Sequence, residues 1–245
     1  MTHRILTLGD TAFTVEFAAG FDDAARSATA RLDAAIARER AVGALPSIVD
    51  VVPTFRSLTV HFEPAITPRA ALEPQIAALA GEGEGGSPDG GAQWRFPVSY
   101  GGDAGPDLCD LAAHAGLTET QVIDLHAATE VSVHMLGFLP GFAFMGDIAP
   151  SLRRPRRAEP RTRVPWGSVA VADRLTAIYP WESPGGWHLI GHCPVPLFDA
   201  SRAAPALLSP ADRVAFVPTP EAEVAALAAG FAAGELAPTS FRVDD

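Results

Sequence analysis

Between residues 81 and 92 the chain reads GEGEGGSPDGGA, with no apolar side chain except the closing alanine. Such a stretch has nothing to bury and a backbone of high conformational freedom, so it joins folded pieces rather than forming one. It sets the expected organisation: an N-terminal piece over residues 1–80, a linker over 81–92, a larger piece over 93–220, and a C-terminal helix and tail over 221–245. A chain of 245 residues is long enough for two modest cores. The linker also contains Gly81-x-Gly83-x-x-Gly86, the spacing of a dinucleotide fingerprint. That fingerprint needs a strand before it and a helix after it. Here a helical LEPQIAALA precedes it and featureless sequence follows, so we read no nucleotide site in it.

The first piece alternates like strands over 3–8 and 12–17, joined by Gly9-Asp10. Ala25, Ala28, Leu32, Ala35 and Ile36 then recur at helical spacing, with Gly43 as a stop. SIVDVVP and SLTVHFEP read as two more strands, and Pro68 opens a second helix, as proline in a first turn does. The order ββαββα predicts an α+β layer with helices on one face of an antiparallel sheet.

The second piece is mainly short strands: WRFPVSY, EVSVHML, GSVAVA, LTAIYP, WHLIGH and RVAFVP, separated by Gly, Pro and Asp. That is the pattern of a barrel or sandwich. Two helices interrupt it, one over 107–115 with Asp107 as the expected cap, one over 118–128 opened by the capping box Thr118-x-x-Gln121. An Ala-rich helix over about 219–233 is expected to pack on the outside.

Composition narrows the chemistry. A formal net charge of −11 argues against general nucleic-acid binding, which needs a basic field. Apolar runs are too short for a membrane span, and MTHRILTLGD enters a strand pattern at once without a signal-peptide core, so the expected location is the cytoplasm. All 18 basic residues are arginine, which removes a Walker lysine, a Schiff-base lysine and a biotin-bearing lysine together. Two cysteines, Cys109 and Cys193, lack metal or scaffold spacing.

Candidate functional residues cluster in three places. GFLPGF (137–142) is apolar yet broken by Gly137, Pro140 and Gly141; the glycines allow close backbone approach, and Phe138 and Phe142 offer a wall for a ligand or partner, or else fill a barrel corner. RRPRRAEPRTR (153–163) holds six arginines stiffened by Pro155 and Pro160 within an acidic chain, a focused field for a carboxylate or phosphate. SPGGW (183–187) is a rigid turn whose backbone N–H groups suit an anion. His134 is out of phase with Val131, Val133 and Met135, so it is expected on the opposite face. His126 reads as a cation at a helix C-terminus. His188 and His192 share a strand face about 13 Å apart, too far for one metal.

YGGDAGPDL (100–108), HMLGFLPGFAFMG (134–146), PRRAEPRTRVPWGSVAVA (155–172) and YPWESPGGWHLIG (179–191) together resemble the allophanate hydrolase subunit 1 family, also called the 5-oxoprolinase B-subunit family, which includes the kinase inhibitor KipI. The resemblance runs over about residues 3–220. It implies an α+β N-terminal domain followed by a mainly-β, cyclophilin-like barrel. It also implies a protein that works within a hetero-oligomer, beside the 5-oxoprolinase C subunit (allophanate hydrolase subunit 2-like) and the A subunit. Together these open the lactam of 5-oxoproline to L-glutamate with ATP and Mg held with the partner subunits, and no metal on this chain. Related pairs act as urea-type carboxyltransferases, and KipI binds a histidine kinase.

On that basis Arg156, Arg161 and Arg163 are anion clamps, with Phe138, Pro140, Gly141, Phe142, Ser183, Gly185 and Gly186 shaping the substrate site. His134 and Tyr100 are proton handlers or donors. Asp50, Arg56 and Trp187 are partner or interdomain contacts. Three positions depart from the family pattern: Val131 for an aromatic, Trp166 for a small residue, His192 for arginine. Either that arginine clamps substrate and the substrate here differs, or the position is structural.

Overall fold

Alternation in the first strands sends Phe13 and Val15 to one face, and both are fully buried beside Leu58, Val60 and Phe62. These residues lie on β2 (Ala12–Glu16) and β4 (Ser57–Phe62), flanked by β1 (Arg4–Leu8) and β3 (Ile48–Pro53) in the antiparallel order β1-β2-β4-β3. Two helices cover that face. In α1 (Asp23–Ala41) the buried set Ala25, Ala28, Leu32, Ala35 and Ile36 is the stripe read from sequence, and the Asp22 carboxylate accepts from the Ala25 N–H at 3.0 Å as the cap. In α2 (Arg69–Gly81) Leu72 and Ile76 are buried. Each large side chain buried this way contributes about 1.5–3 kcal/mol. The order is ββαββα, as expected. The computed structural model describes residues 2–81 and 91–243. Most of the linker, including Gly83 and Gly86 of the fingerprint spacing, lies outside the described residues.

The chain divides into two compact units, Met1–Asp89 and Gly90–Asp245. The second holds, in chain order, β5 (Gln93–Tyr100), α3 (Leu108–Ala115), α4 (Glu119–Ala128), β6 (Val131–Leu136), β7 (Ala143–Gly146), β8 (Arg161–Val164), β9 (Ser168–Ala172), β10 (Leu175–Ile178), β11 (Ser183–Gly185), β12 (His188–His192), β13 (Arg213–Pro218), α5 (Glu221–Ala232) and β14 (Arg242–Val243). Seven of these strands close a mixed barrel in the order β12-β9-β10-β7-β6-β13-β5, with β12 pairing back to β5. Only β13 and β5 run parallel. β8 and β11 form a separate two-stranded ribbon. The tail is not separate from the barrel unit, because β14 pairs with Trp94 and Gln93 of β5. Among the described residues no helix is long and apolar enough to cross a membrane.

The barrel interior is filled by Phe96, Val98, Val133, Met145, Val169, Val171, Ile190 and Phe216. Val131, where the family pattern suggests an aromatic, is 1% exposed in this core. The Thr118–Gln121 capping box forms with both of its hydrogen bonds. Gly116 stops α3 in the left-handed conformation.

One polar chain crosses the core. His126 stacks on Phe216 at 4.5 Å, with Nδ1 2.8 Å from the Tyr100 hydroxyl and Nε2 3.0 Å from Thr176 Oγ1. Thr176 donates its hydroxyl to the Ala170 carbonyl, so it accepts from His126 Nε2–H, and Nδ1 accepts from Tyr100. The imidazole is therefore neutral, and burial pushes its pKa down to about 3. This replaces the cationic helix-end reading: desolvation outweighs the helix dipole.

Linkage then has a definite sign. Between the ordinary value of 6.5 and the folded value of about 3, the unfolded chain binds a proton that the folded chain refuses. The contribution to stability is complete above the ordinary value and is lost as pH falls toward the folded one, by up to roughly 1.4 kcal/mol per pH unit. Urea unfolding across that range measures the slope, and His126→Gln, which cannot titrate, removes this component.

Candidate functional site

The arginine-rich segment is organised by one carboxylate. Asp107 is expected from sequence to cap α3, but its side chain makes no cap bond. It turns to the segment instead and accepts from Arg161 Nη1 at 2.9 Å and Nη2 at 2.8 Å, from Arg157 Nη1 at 3.1 Å, and from the Leu189 backbone N–H at 2.7 Å. Asp107 is 3% exposed. Burial by itself raises its pKa, but the Arg161 and Leu189 hydrogen bonds and the two guanidinium charges hold it below the ordinary carboxylate value.

The segment's other arginines diverge. Arg163 lies on β8 and pairs with Glu182 at 2.6 Å, both largely exposed. Arg156 lies over the Trp187 ring at 5.8 Å. Trp187 is buried, in edge contact with Phe142 and Phe144. The Arg157 N–H donates to the Gly186 carbonyl at 2.7 Å, which ties the segment to the SPGGW turn. Gly185 is required there: an added Cβ would lie 2.4 Å from the Tyr179 hydroxyl, whose pKa burial pushes up to about 12. Ser183 is buried on β11 opposite Val164.

The GFLPGF unit forms the turn between β6 and β7, closed by the Gly137 N–H on the Phe142 carbonyl at 3.1 Å. Its two phenylalanines separate. Phe142 is 1% exposed and contacts Tyr179 and Trp187, whereas Phe138 is 64% exposed at a φ of 70°. Gly141 has a φ of 76°, and a Cβ there would meet Phe198 Cβ at 2.7 Å. The Pro140 carbonyl accepts from Trp181 Nε1 at 3.0 Å. So the unit is a barrel corner that also displays one aromatic.

A cavity of about 460 Å³ lies outside the barrel wall. Ser99, His192 and Ser168 lie side by side on it, because His192 pairs with Ser99 on β5 and with Ser168 on β9. Arg161, Arg163, Asp103 and Glu221 add charge, and Val224, Ala225 and Ala228 of α5 supply an apolar wall. The outer helix expected from sequence thus also shapes a cavity.

Of the residues proposed from sequence, Arg161 and Arg163 reach this cavity. Arg156, Phe138, Pro140, Gly141, Phe142, Ser183, Gly185 and Gly186 gather around Trp187 and the two turns rather than lining it. Tyr100 commits its hydroxyl to His126 in the core, and burial raises its pKa far above the ordinary phenol value. His134 is buried against Gly146. A register shift between Val133 and Met135 breaks the alternation used to place it. In the first unit Arg56 donates to Glu16 at 2.9 Å and to the Ala18 carbonyl at 2.7 Å, while Asp50 is exposed and accepts from the Val51 N–H.

In the sequence His192 stands out only for its spacing from His188 and its departure from the family pattern. A second bulge, between Leu189 and Gly191, puts His188 opposite Val171 and His192 opposite Ser168. Those partners are three residues apart, so the two histidines face opposite sides of the wall, not the same side as the even spacing implies. His188 takes the Pro155 carbonyl at 2.9 Å, and His192 faces the cavity. The departures at 166 and 192 also meet: the Trp166 and His192 rings contact edge-on at 5.5 Å. Asp103 and Ser168 lie within the motifs over 100–108 and 155–172 but are not singled out there, and Ser99 carries no signal beyond ordinary strand chemistry.

The Asp107 cluster yields a direct test. Asp107→Asn leaves two guanidinium groups without their charge partner and is expected to cost about 3 kcal/mol of stability. Asp103→Asn, at an exposed position, is expected to change stability by less than about 0.5 kcal/mol. Paired denaturant melts distinguish the two.

The sequence model of the family described as carboxyltransferase domain, subdomain C and D, matches residues 3–208. The chain is 44% identical over 181 residues to the 5-oxoprolinase B subunit of Escherichia coli O157:H7, covering 72% of this chain and 81% of that one. It is 33% identical over 229 residues to the 5-oxoprolinase B subunit of Bacillus subtilis (strain 168), covering 88% and 92%. It is also similar to the crystal structure of TTHA0988, with 35% identity and a TM-score of 0.72 over 86% of this chain; it spans 40% of that longer chain. By sequence match across most of its length, the chain belongs to the 5-oxoprolinase B-subunit family, the family also called allophanate hydrolase subunit 1.

Proposed function

We propose that this chain is the B subunit of an ATP-dependent 5-oxoprolinase, acting with the A and C subunits to open the lactam of 5-oxoproline to L-glutamate. The observation that carries the reading is its identity with two relatives named as B subunits of 5-oxoprolinase, one of them matched along nearly its whole length. The cavity supports it: a polar floor, an apolar wall and an arginine at the rim suit a small lactam that bears a carboxylate.

The chain's own residues do not fit a nucleoside triphosphate. There is no lysine, Arg161 is held by Asp107, and Arg163 faces Glu182. We therefore assign ATP and its Mg to the partner subunits and give this chain the tasks of binding and orienting the substrate. A urea-type carboxyltransferase component is the second reading, favoured by the description of the matching family. It requires a biotin carrier supplied by another chain, since this one has no lysine to carry the cofactor.

Reconstitution separates the readings. With the A and C subunits, ATP and 5-oxoproline, glutamate is expected only when all three chains are present. Activity on a urea-like amide that depends on an added biotin carrier would favour the second reading. No complex with either partner would favour a lone binding module of the KipI type. In the active complex, Arg163→Ala is expected to raise KM about tenfold while kcat changes little, because a rim charge holds the ground state and the transition state alike. Raising salt from about 0.05 M to about 0.5 M is expected to raise KM in the same direction by screening that exposed charge.

A further inference from the structure

The cavity floor separates its polar groups by kind. Ser99, His192 and Ser168 sit on three adjacent strands, a row about 10 Å long at the usual strand spacing. The serines are only 6% and 4% exposed. The charged residues around the cavity lie elsewhere. Arg163, Asp103 and Glu221 are exposed, and Arg161 is turned onto Asp107. What reaches the floor therefore meets neutral donors and acceptors.

The orientation of His192 follows from its surroundings. Its ring rests edge-on against Trp166 at 5.5 Å. Gly167 permits the approach: at a φ of +77° it has no Cβ, and an added one would lie 2.3 Å from His192 Cε1. A neutral imidazole has a single N–H. Its other nitrogen presents a lone pair. Burial lowers the pKa of the ring, which keeps it neutral at physiological pH.

We propose that the row Ser99–His192–Ser168 recognises a cyclic amide edge-on, His192 accepting the lactam N–H and a neighbouring serine hydroxyl donating to the lactam carbonyl. A lactam is a cis amide, so its N–H and C=O point from one edge and match an acceptor and a donor on adjacent strands. A carboxylate on the same ring then lies toward the rim and Arg163. His192 is in this arrangement a positioning residue. The choice of 5-oxoproline as the lactam rests on the 5-oxoprolinase reading above; recognition of an amide by the row does not.

Calorimetric titration of the full chain with 5-oxoproline, N-methyl-5-oxoproline and 2-pyrrolidinone tests this. N-methylation removes the N–H and is expected to weaken wild-type binding about tenfold. His192→Leu is expected to bind 5-oxoproline about tenfold more weakly and to lose the distinction between the two acids. His192→Gln, which keeps an acceptor oxygen, is expected to restore the distinction. A merely structural role for His192 would shift the melting temperature and leave the ratio between the two acids unchanged. That unchanged ratio in His192→Leu, or equal binding of the two acids by the wild type, overturns the assignment. Binding of 2-pyrrolidinone without 5-oxoproline would support the amide row and overturn the 5-oxoprolinase reading. Binding of neither lactam overturns the row.

Discussion

The Asp107 carboxylate is the interaction on which the outer face of the barrel unit depends. It receives four N–H groups from two separate stretches of chain: Arg157 and Arg161, the latter at two nitrogens, from the arginine-rich segment, and the Leu189 backbone from β12. A carboxylate removed from water is costly unless its lone pairs are filled by charge and hydrogen bonds together, and here they are. The fork of Arg161 sets the direction of the segment leading into β8, and the Leu189 bond fixes that segment against β12. The cavity lies beside this junction, with Leu189, Arg161 and Pro106 among its lining.

Barrel closure supplies the second constraint. Apolar side chains of β5, β9 and β12 point into the core, so their alternate neighbours point outward. That is how Val98 and Val169 come to be interior while Ser99 and Ser168 line the cavity. The bulge in β12 makes the outward row possible, since it returns His192 to the outer side after His188. Helix α5 then faces the row with small side chains, leaving room for a ligand between helix and wall.

Much of the architecture was legible because it depends on local patterns. The alternation of Phe13 and Val15, the stripe from Ala25 to Ile36, the Thr118–Gln121 box and the stop at Gly116 all express short-range periodicity or capping, and each recurs in the structure. The arginine segment was legible as a charged cluster, but its division was not. Two arginines neutralise a buried acid, one pairs on the surface and one covers a tryptophan, according to which partner the fold brings near. His188 and His192 were placed on one face because a strand period of two holds only until a bulge inserts a residue, and β12 contains one.

By itself the sequence determined the two-unit organisation, the α+β and barrel classes, and membership of a family through four ordered motifs. The organisation and the strand-rich pattern follow from composition, period and spacing, which are properties of neighbours along the chain, and the barrel and the family follow from the resemblance that those motifs carry. The tertiary structure decided that Asp107 serves as an ion-pair centre and not a cap, that His126 is neutral, that Phe142 is core while Phe138 is displayed, and that Ser99, His192 and Ser168 form one row. Each of those depends on which residues distant in sequence become neighbours when the barrel closes. Desolvation and hydrogen bonding act on the neighbours that closure provides, and local pattern does not specify them.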